Sequence, residues 1–305
     1  ASNFTFTGDP QQIAYFKSTN TNLGLDSGIV ISSGNTSAIA DAGSGFASTA
    51  YQSTVGDVDL TTFLQNSPIG PQDVNDVAII EFDFVPLGDS VKFDYVFGSE
   101  EYPDFVCSYN DVFGLFISGP GITGPYANNA ANIALVPGTG QEVSIVTING
   151  GSPNGTCNWE NQNNQFYVDN AAGTDVVYDG FTTVLTARAQ VVCGQTYHVK
   201  MALCDAGDWS YDSGIFLRAK SFISQAVSVQ AATISGDSTI VEGCSQAAFS
   251  FYRPGDLSDS LVLNYTLSGT ALEGVDYNIL PDSIVFVPGQ DLVTVPIIPV
   301  DDAIA

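Results

Sequence analysis

Basic side chains are the scarcest chemistry in this chain. Seven Lys and Arg stand against 33 Asp and Glu in 305 residues, a formal net charge of −26. No Lys or Arg occurs between Lys17 and Lys92, between Lys92 and Arg188, or after Arg253. Nucleic acid is held by basic stripes that neutralise phosphates, so the composition excludes it as a partner. Docking on an anionic lipid surface is disfavoured for the same reason. No apolar run approaches the roughly 20 residues that span a bilayer, which predicts no direct membrane insertion. A basic segment followed by an apolar stretch is missing from the start, so a leader is expected to have been removed or to lie outside this sequence.

Histidine, tryptophan and helix signals are also sparse. The single His198 sits in an alternating strand pattern, and no GxSxG, HExxH, P-loop or GxGxxG occurs in a fitting context, so the chain is read as non-enzymatic. A carbohydrate-active enzyme is the rival from that class, because paired carboxylates can act as general acid and base. That chemistry needs a cleft with an aromatic platform, and the sequence places neither Trp159 nor Trp209 over one. The five cysteines, Cys107, Cys157, Cys193, Cys204 and Cys244, form no CxxC and no zinc spacing with His198. An exported protein would oxidise some of them. The extended run Tyr197–Leu203, at about 3.3 Å per residue, holds Cys193 and Cys204 too far apart to bond. Cys107 can instead reach Cys204 or Cys157, and at least one disulfide is expected.

What the chain does have is strands. Val77–Pro86, Val91–Gly98, Val112–Ser118, Val143–Asn149, Tyr197–Leu203 and Gly214–Phe222 are apolar or alternating runs between Gly, Pro, Asn and Asp clusters. Residues 127–133 allow at most a short turn. The pattern predicts an all-β protein: a jelly-roll or lectin-like β-sandwich over 1–223, then a second β-rich unit over 224–305. The second unit stops at Asp301-Asp302-Ala-Ile-Ala305 without a closing strand, so it is expected to be truncated and the natural protein to continue.

Acids crowd the loops between strands. Glu100, Glu101, Asn110 and Asp111 fall in one loop, and Asp205, Asp208 and Asp212 in another. A third set, Glu242, Asp276, Asp301 and Asp302, belongs to the second unit. Two carboxylates ~5 Å apart at an effective dielectric of about 20 repel by roughly 3 kcal/mol. The loop can solvate them, raise a pKa or bind a cation. Oxygen-only ligands, with Gly207 for a tight turn, point to calcium (Ca2+) rather than a transition metal.

Six ordered motifs carry a family resemblance: Leu25-Asp-Ser-Gly-Ile-Val-Ile-Ser-Ser-Gly34, Phe93-Asp-Tyr-Val-Phe-Gly-Ser-Glu-Glu-Tyr-Pro103, Tyr109-Asn-Asp-Val-Phe-Gly114, Tyr178-Asp-Gly-Phe-Thr-Thr183, Cys193-Gly-Gln-Thr-Tyr-His198, and Asp205-Ala-Gly-Asp208 through Asp212-Ser-Gly214. Over 1–223 the chain resembles the choice-of-anchor L domain. The resemblance implies a large exported bacterial surface protein, in Bacteroidota a cargo of type IX secretion that includes gliding-associated adhesins. Cys204 departs from it, standing where a small residue is expected. Val241-Glu-Gly243, Gly269-Thr-Ala271, Gly274-Val-Asp-Tyr277, Val287-Pro-Gly289 and Val300-Asp-Asp302 are similar to a Calx-β domain, which implies an Ig-like β-sandwich over 224–305 and calcium ligation by Glu242, Asp276, Asp301 and Asp302. The expected role is adhesion: a calcium-stabilised module at the outer cell surface that binds a glycan or a surface protein. Secretion and anchoring machinery would engage a C-terminal region beyond Ala305. The alternative is a purely structural spacer or cap of a surface filament.

Overall fold

The computed structural model describes the chain except residues 20, 41–44, 54, 220, 225–226, 234–239, 241–245, 254–256, 258–259 and 302–305. It divides after Ser224 into two compact units.

The strands of the first unit are β1 (Ser2–Thr7), β2 (Ile13–Lys17), β3 (Ser27–Ser32), β4 (Val74–Phe84), β5 (Ser90–Ser99), β6 (Val112–Ser118), β7 (Ala131–Asn132), β8 (Tyr167–Asp169), β9 (Gly180–Thr182), β10 (Leu185–Gln190), β11 (Tyr197–Ala206), β12 (Ser213–Arg218) and β13 (Ile223–Ser224). They form two antiparallel sheets. One has the order β1-β4-β11-β6-β7; the other runs β2-β3-β12-β5-β9-β8, with β10 and β13 also on β5. Neighbours such as β4 and β11, or β3 and β12, are far apart in sequence, so the chain crosses repeatedly between sheets.

The main core lies between the sheets. Ile80, Phe82 and Phe84 of β4, Phe93, Tyr95 and Phe97 of β5, Phe113, Leu115 and Ile117 of β6, and Tyr197, Val199, Met201 and Leu203 of β11 all enter it. The alternation predicted for Tyr197–Leu203 is therefore the real one, since side chains two apart share a face.

Several strands read as almost continuous apolar runs because their outer faces are covered too. Val77, Ile79, Val112, Phe116, Ala202 and Cys204 lie beneath Leu60, Phe63 and Leu64 of a helix, α1 (Val58–Gln65). On the other sheet Val30, Val96 and Phe216 pack under Leu23, Leu25, Ile39, Val176 and Val177. Sequence periodicity missed α1, which is too short to establish an apolar stripe. Its start is set by Asp57, which caps the amides of Asp59 and Leu60 at 3.0 and 2.9 Å. Lys200 of β11 fastens it by pairing with Asp57 and, at 2.8 Å, with Asp59.

Two expectations need correction. Residues 143–149 are not a strand. Thr147 Oγ1 accepts from the Ser144 amide at 2.9 Å and turns the chain, leaving isolated bridges at Ser144 and Glu142 and burying Ile145 and Ile148 as loop residues. Cys204 is not a disulfide partner: it is fully buried on the outer face of β11, free, as Cys193 is free and exposed. The bond joins Cys107 to Cys157, with Cα atoms 5.7 Å apart. It closes a loop of about 50 residues, a constraint on the unfolded chain of roughly 4 kcal/mol. Cys244 lies outside the described residues.

The second unit contains β14 (Ser228–Thr233), β15 (Ala247–Tyr252), β16 (Leu261–Asn264), β17 (Ser283–Phe286) and β18 (Leu292–Ile297). Sheets β14-β15-β18 and β16-β17 enclose Phe251, Leu280, Ile284, Phe286 and Val295.

Candidate functional site: a buried acidic end

Strand register brings the acidic loops to one end of the first sandwich. In one sheet Ser213 at the start of β12 pairs Ser99 at the end of β5, and Gly214 pairs Ser32 at the end of β3. In the other, Cys204 pairs Val112 at the start of β6, and Ala206 pairs Val74 at the start of β4. Glu100, Glu101, Asp111, Asp205, Asp212 and Asp76 therefore sit at strand ends that converge. A register shift between Leu203 and Asp205 re-aims β11 there.

These six carboxylates are not solvated. Glu100 is 4% exposed, Glu101, Asp111 and Asp205 1% each, and Asp76 and Asp212 0%. The described bases of this unit lie elsewhere. Lys200 is engaged by α1, and Arg218 meets Asp94 at 3.3 Å. Lys92, paired across from Arg188, stands seven residues before Ser99 on β5, roughly 24 Å along the strand. Lys17 pairs Ser27 at the far end of β3.

Hydrogen bonding satisfies only part of the cluster. Asp76, which sequence reading did not single out, accepts from the amides of Tyr51 and Ser53, both at 2.9 Å, and so anchors that loop. Asp111 accepts from the Ala206 amide at 2.9 Å and the Ser213 hydroxyl at 2.6 Å. Asp212 accepts from the Thr49 amide at 2.9 Å through Oδ1. Among the described residues six buried oxygens meet no donor: Glu100 Oε2, both of Glu101, both of Asp205, and Asp212 Oδ2. Ser33 lies close enough to ease Asp205 slightly, but its hydroxyl is engaged with the Ser213 backbone. Asp212 Oδ2 occupies space that only a glycine leaves, since a Cβ on Gly34 would meet it at 1.7 Å.

Burial pushes these carboxyls upward, and their neighbours add to it. Glu100 rises to about 8 through burial, then Asp179 and Asp212, with the Ala47 and Asp179 amides opposing. Asp212 rises to about 6, mainly through burial, and Asp76 adds a smaller push. Glu101 is raised by burial, Asp111 and Asp208; Asp205 by burial, Asp111 and Asp212. Such shifts oppose ionisation by several kcal/mol, and a cation supplied from outside would reverse them.

The remaining predicted ligands are placed differently. Asp208 is half-buried at the rim, where its carboxylate accepts from the Ser210 amide at 2.8 Å and lies beside Tyr109. Asn110 is a strut rather than a free ligand: its Nδ2 donates to Ser67 at 3.1 Å and its Oδ1 accepts from Val146 at 3.3 Å. In the second unit Asp276 Oδ2 accepts from Leu272 at 2.6 Å, and its carbonyl from the Val300 amide at 2.9 Å, next to Asp301. Glu242 and Asp302 lie outside the described residues. Asp179, half-buried beside Glu100, was missed because Tyr178-Asp-Gly180 reads as a plain turn.

A second feature is an open cleft of about 420 Å³ lined by Pro103, Gly150, Gly151, Glu160, Asn161, Tyr167 and Asp169, beside the disulfide. Trp159 does not line it; its indole donates to Val106 at 2.9 Å and packs on the core. His198 bridges Asp83 at 2.8 Å and Glu81 at 3.3 Å on the sheet surface. Among the described residues no helix is long and apolar enough to cross a membrane.

The raised carboxyls fix a pH dependence. A folded pKa above the unfolded one gives stability that is full below the unfolded value and is lost as pH rises through the folded value. In metal-free buffer the melting temperature should therefore fall as pH goes from about 5 to 8, the window set by Glu100 and Asp212. Glu100→Gln should flatten that slope. A flat wild-type profile, or one rising with pH, would contradict the assignment.

No curated protein matches this sequence. The family model of the choice-of-anchor L domain matches residues 1–223, which is 223 of the 305 residues and the whole of the sandwich that carries the acidic end. Its name points to a protein displayed at the cell surface. The chain belongs to the choice-of-anchor L domain family.

Proposed function

We propose that this chain is a non-catalytic recognition module of an exported surface protein, held rigid at one end by calcium. The observation that carries the reading is the set of six buried carboxylate oxygens that meet no donor and no base among the described residues. Leaving such groups charged and unpaired is costly, and an all-oxygen set suits a hard divalent cation. No three ligand atoms of these acids lie within 4.8 Å of one another in the described structure, so Glu101, Asp205 and Asp212, with Glu100, Asp111 and Asp208 beside them, would draw together to hold it. Calcium there supplies charge neutralisation and ties the loops of both sheets together.

The finer parts of the reading follow the family. The parent protein is taken as a large adhesin of the type IX-secreted kind found in Bacteroidota, including gliding-associated ones. The second unit is taken as Calx-β-like, with Asp276 and Asp301 as its described acids. The ligand is taken as a glycan. The open cleft supports this, because Tyr167 lines it together with Glu160, Asn161 and Asp169. Apolar sugar faces stack on aromatic rings while hydroxyls bond to such polar groups.

Melting of the intact chain tests the cation. Calcium at about 100 times its dissociation constant should raise the first unit's transition by roughly 5–10 °C over chelator at matched ionic strength, with magnesium giving less. Asp205→Asn should lose that shift and yet melt higher than wild type in chelator, because an amide needs no proton taken up on folding to be neutral there. Asp89→Asn, on an exposed loop, should change neither. Equal melting of wild type in calcium, magnesium and chelator would sink the reading.

Glycan arrays probed with the intact chain test the ligand. Binding to a defined class of polysaccharide, lost in Asp169→Ala and Glu160→Gln, is expected. Absence of binding across host and bacterial glycans would favour the structural spacer instead.

A further inference from the structure

Away from the acidic end, Lys200 is enclosed with two carboxylates under α1. It lies on β11 directly across from Phe116 of β6, on the face of that sheet which α1 covers. Its ammonium contacts Asp57 Oδ2, donates to Asp59 Oδ2 at 2.8 Å and stands 5.7 Å from the centre of the Phe116 ring. Tyr126, packed on Phe116 at 4.6 Å, extends the aromatic wall. The side chains of Lys200, Asp57 and Asp59 are only 11%, 8% and 4% exposed, so little water reaches the three.

The two acids are held in different ways. Asp57 Oδ1 accepts from the Asp59 and Leu60 amides at 3.0 and 2.9 Å, which leaves Oδ2 to face the amine. Two backbone donors on one carboxyl oxygen, at the positive end of a helix, would stabilise the oxyanion that forms when the carboxyl carbon is attacked. Asp59 is fixed from its other side, with Oδ1 accepting from the Ala127 amide at 2.7 Å and Oδ2 in reach of the Lys200 protons. It can therefore serve as a general base. Burial favours the neutral amine, but the bonds to Asp57 and Asp59 outweigh it and hold the Lys200 ammonium above its ordinary pKa. The reactive amine is thus the minor form, which suits a slow, single event after folding.

We infer that Lys200 and Asp57 condense into an intramolecular amide, a covalent cross-link between β11 and the start of α1, with Asp59 as the proton carrier. Lys200 Nζ gives a proton to Asp59 and its lone pair attacks Asp57 Cγ, while negative charge gathers on Oδ1 under the two amides. Asp59 passes that proton to Oδ2, takes the second from Nζ and delivers it as the Cγ–Oδ2 bond breaks. One N–C bond forms, one C–O bond breaks, Oδ2 leaves as water, and no oxidant or cofactor is consumed. One ammonium and one carboxylate disappear together; Asp59 keeps its charge and accepts from the new amide N–H and from Ala127. Holding the two groups in one fold is equivalent to a concentration of about 10⁵–10⁸ M, and the shortage of water opposes hydrolysis. The product replaces a desolvated ion pair with a neutral group that keeps the same two donors on Oδ1.

Denaturing mass spectrometry of the full chain, after folding and then reduction of the Cys107–Cys157 bond, tests the cross-link. Wild type should be lighter than its sequence by one water. Lys200→Arg keeps the positive charge beside both acids, and so the fold, but should show its full sequence mass. Asp59→Asn, which removes the proton carrier, should also show its full mass. Trypsin does not cut after an acylated lysine, so wild type should yield residues 18–92 joined to residues 189–218 as one branched peptide. In Lys200→Arg those segments should separate. A folded wild-type chain at full sequence mass would overturn the inference. So would a water loss that survives Lys200→Arg, as a succinimide at Asp179-Gly180 would. Condensation in Asp59→Asn as complete as in wild type would overturn the role given to Asp59.

Discussion

Buried negative charge without a base is the constraint around which the first unit is organised. Carboxylates placed where water cannot reach must be protonated, paired or bound to metal. Among the described residues no base sits where it could pair with them. Lys92, Arg188, Arg218 and Lys17 lie toward the other end of their strands, and Lys200 is held by Asp57 and Asp59 under α1. Separations of about 20 Å exceed the Debye length at physiological salt, so those charges scarcely influence the acidic end. The remaining choices are a proton or a cation, and they differ in consequence. Protons leave the converging loops as separate strands of chain, whereas a cation makes them one object.

The sandwich supplies what such a site needs. Its strand ends are fixed by long ladders: β11 pairs β4 from Tyr197 to Ala206 and β6 from His198 to Cys204, so Asp205 and Asp111 are set by register. Covering both outer faces removes the freedom of the sheets to slide. The Cys107–Cys157 bond then tethers the loop between Glu101 and Asp111 to the segment that builds the polar cleft. The acidic end and the cleft surface of Tyr167, Glu160 and Asp169 are thereby joined through one covalent link.

The fold was legible because strand periodicity and turn residues agree along most of the chain. The alternation of Tyr197, Val199, Met201 and Leu203 is in the letters and in the core. Residues 143–149 misled because Val143-Ser-Ile-Val-Thr-Ile148 is a mostly β-branched run with the composition of a strand, while the deciding feature, a hydroxyl turn between Ser144 and Thr147, is local chemistry that composition ignores. The site was legible as a charge imbalance at strand ends, so Glu100, Glu101, Asp111, Asp205 and Asp212 were found. Their burial was not, because Gly98-Ser-Glu-Glu-Tyr-Pro103 reads like any solvated loop. Asp76 stands one residue before the Val77–Pro86 run and carries no sequence signal of its own; its left-handed backbone, φ 45°, and its bonds to the Tyr51 and Ser53 amides show that it holds the 51–53 loop. Asn110 looked like a ligand by neighbourhood, but its amide serves Ser67 and Val146.

Whether Glu101 and Asp205 are charged and metal-bound is best decided by diffraction from crystals grown in calcium, with data collected at a wavelength where calcium scatters anomalously. The account predicts anomalous peaks within coordination distance of the Glu101 and Asp205 carboxylates, with equal C–O bond lengths in both groups. A high-resolution map with no anomalous peak at this end, and with unequal C–O bonds marking protonated carboxyls, would contradict it.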